Sequence, residues 1–93
     1  MATAKEDLKE IYHYIATDSK RYARLQVEKI QKRTEMLKSQ TRIGRIVEEM
    51  ENENIRELIE GNYRVIYRIV NEKRIDILMV HHGARDLRRR VNP

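Results

Sequence analysis

The sequence predicts an α+β fold in which an antiparallel helix hairpin packs on an antiparallel sheet of three to four strands, followed by a short basic C-terminal segment. Three observations carry the prediction. Apolar residues recur at helical spacing as far as Leu37, the polar run SQTRIGR with Gly44 then interrupts them, and from Ile55 onward the period becomes two. A chain of 93 residues is enough for a single modest core, so residues 1–93 are expected to form one domain.

TAKEDLKEIYHYIA opens with Thr3 and places Glu6 three residues later. This is the spacing of a capping box, in which each side chain satisfies the other residue's unpaired N–H. Leu8, Ile11, Tyr12 and Ile15 then share one face while Lys5, Glu6, Lys9 and Glu10 lie elsewhere, so a first helix is expected from Ala4 to Ala16. TDSK breaks it, and Asp18 or Ser19 caps a second helix with an inner stripe of Ala23, Val27, Ile30, Thr34 and Leu37. At about 1.5 Å per residue this helix should be close to 30 Å long. Lys20, Arg21, Arg24, Lys29, Lys32 and Arg33 occupy its outer side. A link this short makes the two helices antiparallel.

IVEEM reads as a short extended piece. IRELIE, a turn at Gly61-Asn62, YRVIYRIV, a turn at Asn71-Glu72-Lys73 and RIDILMVHH then form a three-stranded meander. Tyr63, Val65, Tyr67 and Ile69 should face the helices, with Arg64, Ile66, Arg68 and Val70 turned the other way. Beyond Gly83, ARDLRRRVNP is a short basic helix or a frayed tail.

Composition narrows the chemistry. Apolar content of 40% beside charged content of 38% suits a compact domain dense in surface charge, and the net charge of +5 implies an acidic partner: nucleic acid, membrane or acidic protein. The chain has no cysteine, which excludes disulfides and thiolate metal sites, and three histidines, two of them adjacent, are a poor zinc set. No metal or cofactor is expected. A Gly-rich phosphate loop, a nucleophile elbow and a helical zinc motif are all missing from the sequence. With no export-signal layout and no long apolar run, the cytoplasm is the expected location and no membrane partner is expected. Tyr12, Tyr14 and Tyr22 lie on helices, where packing is the simpler use; without Phe or Trp there is no stacking platform for single strands.

Arg64 and Arg68 point the same way from one strand, about 7 Å apart, with Ile66 between them. The same face is expected to hold Leu58 and either Leu78 or Val80. Such a mixed apolar and cationic surface suits an acidic amphipathic helix or a nucleic-acid backbone; a plain solvated sheet face is the competing reading. His81 and His82 end the last strand on opposite faces, as a candidate acid or base or simply as strand-end histidines. Arg85 and Asp86 follow Gly83 in a tight turn, and an Arg85–Asp86 or Arg64–Asp86 ion pair of structural role rivals a functional one. Arg88, Arg89 and Arg90 form a basic run suited to polyanions, or a solvated terminus.

KEDLKEIYHYIA, GRIVEE, IRELIEGNYRVIYRI and ILMVHHGARDL, in that order and spacing over nearly the whole chain, resemble the RelE/ParE superfamily of bacterial and archaeal type II toxins. The resemblance implies a helix hairpin on a curved antiparallel sheet, and a growth-inhibiting toxin neutralised by a small antitoxin. Members usually begin with a β-strand before the helix that KEDL opens, and here only Met1 to Thr3 precede it. Either the reading begins late or this strand is missing; a missing strand leaves an edge that antitoxin or a second copy is expected to cover, as a homodimer or a heterotetramer with the antitoxin.

Two activities compete within the superfamily. RelE-like members are ribosome-dependent endoribonucleases that drive the ribose 2′-hydroxyl of messenger RNA at the adjacent phosphate without metal. Arg64 matches the arginine of their YR element, and Arg85 matches the arginine after the last strand. Glu57, however, stands near a position where they carry lysine, and LRRRV lacks their trailing tyrosine. In that reading Glu57 is the base and His81 or His82 the acid. ParE-like members instead poison DNA gyrase, and HHGARDL without a trailing tyrosine looks closer to them. The preferred expectation is therefore a gyrase poison: the helix hairpin with Arg85, Arg88, Arg89 and Arg90 meets the target, while Arg64, Ile66, Arg68 and Leu78 meet the antitoxin. An inactive, degenerate basic binding protein is the third reading.

Overall fold

Ser19 has extended backbone (φ −157°, ψ 115°) and its Oγ accepts the N–H of Tyr22 at 3.2 Å, so of the two expected caps Ser19 starts the second helix. The computed structural model describes residues 3–83 and Leu87. Helix α1 spans Thr3–Ala16 and α2 spans Lys20–Glu35. Thr3 is the first residue inside α1, so the expected cap falls one residue within the helix. At about 1.5 Å per residue, α2 is shorter than expected, roughly 24 Å. A 3-10 turn at Met36–Lys38 continues it and carries Leu37 into the core.

Four strands follow: β1 (Arg45–Ile46), β2 (Ile55–Glu60), β3 (Tyr63–Asn71) and β4 (Arg74–His82), in the order β1-β2-β3-β4. All neighbours are antiparallel. Only the start of IVEEM is extended; Glu48–Met50 is a 3-10 turn. Gly61 has φ 58°, the left-handed conformation that the β2–β3 turn requires and that glycine adopts without strain. Pairing of β3 with β4 jumps from Ile66↔Met79 to Tyr67↔Ile77, leaving Leu78 as an extra residue in β4.

The helices cover one face of the sheet. Ile11, Ile30 and Leu37 pack there against Leu58, Tyr63, Val65, Tyr67, Ile69 and Val80. All four β3 residues expected to face the helices do so. Leu58 corrects the expected outer face, and of the two alternatives Leu78 and Val80 only Leu78 lies there: Leu58 and Val80 are both opposite Val65 in register and belong to the helix side.

The outer face has a second apolar cluster, Val47, Ile66 and Leu87, flanked by Met50, Ile55, Leu78 and Met79. Ile66 is fully buried there, and residues from the β1–β2 connection supply the cover. The sheet is thus buried on both sides around Ile66, and the arginine face is narrower than the alternation alone implies.

Candidate functional site

β3 and β2 together place the charged residues of the outer face. Residues alternate across a strand, so Arg64 emerges beside Ile66, and the β2 register brings Glu57 and Ile59 to the same side. Arg64 Nε donates to Glu57 Oε2 at 2.6 Å. Its other two nitrogens reach the Glu49 carboxylate in a fork, Nη1 to Oε2 at 2.8 Å and Nη2 to Oε1 at 3.1 Å. Glu57 also accepts from Arg45 Nε at 2.5 Å. The result is a chain of alternating charge, Arg45–Glu57–Arg64–Glu49, with the Glu57 side chain 2% exposed, Arg64 13% and Glu49 17%. The hydrogen bonds it donates to Glu49, and then to Glu57, hold the Arg64 guanidinium above its ordinary range against the opposing effect of burial.

A cavity of about 430 Å³ lies over this chain, lined by Arg45, Ile46, Glu48, Glu49, Glu57, Ile59, Arg64 and Gly83. Its rim includes Ile46 and Ile59, 46% and 45% exposed. His81 lies opposite Arg64 in the β3–β4 ladder and is buried on this side. His82 is on the other face, edge-on to the Tyr63 ring at 5.3 Å. Of the residues singled out for chemistry, the fold therefore gathers Arg64, Glu57 and His81 and separates His82. Arg68 is exposed, Ile66 is sealed, and Leu78 is half-buried in the outer cluster. Arg85, Asp86, Arg88, Arg89 and Arg90 lie outside the described residues.

This arrangement has limited capacity for phosphoryl chemistry. A cation that stabilises a phosphorane must present donors to substrate oxygens, and the Arg64 fork is already filled by carboxylates. A general base must reach the proton it takes, yet the Glu57 carboxylate is buried and both its oxygens already accept from arginines, Arg45 and Arg64. No group of three or more His, Cys, Asp or Glu able to hold a metal ion occurs among the described residues. Nor is any helix there long and apolar enough to cross a membrane.

Two residues of structural weight gave no expectation in the sequence, and a third was read only in part. Glu49, in a stretch with no periodicity, gave no signal. Asp7 directly precedes the apolar stripe of α1, and a carboxylate bordering such a stripe was the available hint; it is buried and accepts the Val80 N–H at 2.9 Å. Tyr67 was recognised as core, but its hydroxyl does more: it donates to Thr41 O at 2.7 Å and accepts Gly44 N–H at 3.0 Å, fastening the loop before β1. Burial pushes the Tyr67 phenol above its ordinary range.

The chain is similar to known toxin–antitoxin proteins. A family model described as "ParE toxin of type II toxin-antitoxin system, parDE" matches residues 1–87. Among solved structures, the chromosomal ParDE TA system from P. aeruginosa is similar with a TM-score of 0.69 and 25% sequence identity, over 88% of this chain and 89% of that chain. No curated protein matches the sequence.

Proposed function

The chain belongs to the ParE toxin family of type II toxin–antitoxin systems, and from that premise we propose that it arrests growth by binding and poisoning DNA gyrase, cutting no bond itself. The single observation that carries this reading is the closed ion-pair chain through Arg64. A guanidinium held by Glu49 and Glu57 acts as a structural tie and as part of a binding surface, and it leaves little to offer a scissile phosphate. In this reading the helix hairpin, with Lys20, Arg21 and Arg24 exposed on α2, meets the target, and the sequence offers Arg85, Arg88, Arg89 and Arg90 as further target-binding cations. The antitoxin lies across the outer face, where Arg68, Arg45, Ile46 and Ile59 are exposed. With Ile66 sealed, its contacts fall on these neighbours rather than on Ile66.

The competing reading, ribosome-dependent messenger cleavage, is supported by Arg64, Glu57 and His81 sharing one face. Two assays side by side separate the readings. Inhibition of a reconstituted gyrase supercoiling reaction, without cleavage of ribosome-programmed messenger, is the expected result; messenger cleavage that Arg64→Ala abolishes, with gyrase unaffected, overturns it. Growth arrest on induced expression, relieved by the product of the adjoining reading frame, excludes a degenerate binding protein.

A further inference from the structure

Tyr14 and Tyr22 are 76% and 70% exposed, so packing, the simpler use expected for tyrosines on helices, accounts for neither. They flank the link between the helices. Tyr14 O accepts the Thr17 hydroxyl at 2.7 Å and the Tyr22 N–H is donated to Ser19 Oγ, which places both at the same end of the hairpin, within a turn of the link. Leu25, three residues after Tyr22 and also exposed, shares its face of α2. The opposite face of α2 enters the core through Ala23 and Ile30. Tyr22 and Leu25 thus form an apolar stripe turned to solvent.

The charge around this stripe runs against the needs of the helix that bears it. α2 carries six basic residues and two acidic ones, and its first turn holds Lys20 and Arg21 with no carboxylate. The N-terminal end of a helix is the positive end of its dipole and favours acidic side chains, so cations there destabilise their own helix. Among the described residues, Lys20, Arg21, Arg24, Lys29 and Lys32 take part in no ion pair. These charges serve neither the helix nor a neighbouring element, and they remain available to a partner outside the chain.

We propose that this outer face of α2, with Tyr22 and Leu25 as apolar anchors flanked by Arg21, Arg24 and Lys29, is where the chain grips its target, and that it fits an acidic protein surface and not a nucleic-acid backbone. The proposal rests on the reading of the chain as a gyrase poison; it names the part of the hairpin that binds and the chemistry it selects. Tyrosine and arginine carry much of the binding energy in protein interfaces, where an apolar anchor gains by leaving water. A phosphate backbone gives a tyrosine–leucine stripe nothing to bury against. It is also repelled by Asp18 in the link and by Glu28, three residues beyond Leu25, both exposed. Carboxylates on a protein partner meet the unpaired cations, which speeds encounter and fixes orientation.

Binding of the chain to reconstituted gyrase without DNA, and separately to duplex DNA without gyrase, tests this. The unaltered chain should bind DNA-free gyrase, and Tyr22→Ala and Leu25→Ser should each weaken that binding about tenfold or more, the loss expected of an interface anchor. Arg21→Glu with Arg24→Glu should weaken it chiefly through slower association. All four positions are exposed, so the variants should keep the melting profile of the unaltered chain by circular dichroism. In the unaltered chain, the amides of residues 20–25 should exchange more slowly when gyrase is bound, so the test does not depend on any variant. Gyrase bound equally by the Tyr22 and Leu25 variants, with unchanged exchange at residues 20–25, overturns the anchor and leaves the gyrase reading standing. Binding to duplex DNA alone that these variants weaken, without binding to DNA-free gyrase, gives the face to nucleic acid and overturns the proposal. Variants that keep gyrase affinity but lose the small protein encoded by the adjoining reading frame give the face to the antitoxin and overturn it equally. An unaltered chain that neither binds nor inhibits gyrase, with or without DNA, overturns the gyrase reading and this proposal with it.

Discussion

Arg64 on β3 and Glu57 on β2 are joined by a 2.6 Å hydrogen bond whose acceptor side chain is 2% exposed. Removing one partner of a buried ion pair strands the other charge, whereas replacing both by apolar groups of similar size is often neutral. Arg64→Met should therefore cost about 3–5 kcal/mol, the range for breaking a buried pair. Arg64→Met with Glu57→Leu should recover much of that loss, since Arg45 and Glu49 retain access to water. Urea denaturation of the two single variants and the double variant reads the coupling directly; equal loss in single and double variants would refute it.

Asp7 replaces a missing strand partner at Val80. Asp7→Leu leaves the Val80 N–H buried without an acceptor and should cost about 1–3 kcal/mol. Asp7→Asn keeps a carbonyl oxygen in place and should cost less. The Val80 amide should exchange faster in Asp7→Leu, and an unchanged rate there would show that the bond holds nothing.

Gly44 sits where a Cβ would lie 2.6 Å from Glu57 O and 2.7 Å from the Tyr67 hydroxyl. Gly44→Ala must push the loop away from backbone and breaks the Tyr67 clasp, at a cost of about 1–3 kcal/mol, the range for overpacking. Thermal melting should show the loss, with the largest amide changes confined to residues 41–46.

Tyr67 gives the protein an alkaline limit. Its phenol is pushed up in the fold, chiefly by burial, so the folded chain holds this proton more tightly than the unfolded chain. Its contribution is whole below the unfolded tyrosine range, about 10, and is lost as pH rises through that range toward the folded value. Stability from urea titrations should fall between pH 9 and 11 in the wild type, both about the ordinary tyrosine range. Tyr67→Phe should be less stable at neutral pH, through loss of the Thr41 and Gly44 bonds, and should show a shallower alkaline decline.

The local signals were legible because they repeat within a few residues. The cap of the second helix could be narrowed to Asp18 or Ser19, and Tyr63, Val65, Tyr67 and Ile69 could be named as one face, since alternation needs only one strand. Leu58 was misplaced, and of Leu78 and Val80 only Leu78 is on the outer face, for the complementary reason: the side a residue takes depends on the partner opposite it in the neighbouring strand. The candidate site was legible only in part. Arg64, Glu57 and His81 were all identified, but their carboxylate neighbour Glu49 comes from 15 residues upstream of Arg64 in a stretch with no pattern.

By itself the sequence determined the element order, the helix hairpin and the three-stranded meander, because these follow from short-range periodicity and turn chemistry, while the family entered through the resemblance of its motifs. The tertiary structure alone decided that Arg64 is locked between two carboxylates, that Ile66 lies under a second cluster, and that Asp7 closes one end of the β4 edge. Each of these joins residues far apart in the chain. Which distant groups meet depends on register and on how segments fold back over the sheet, and neither is written in any local pattern.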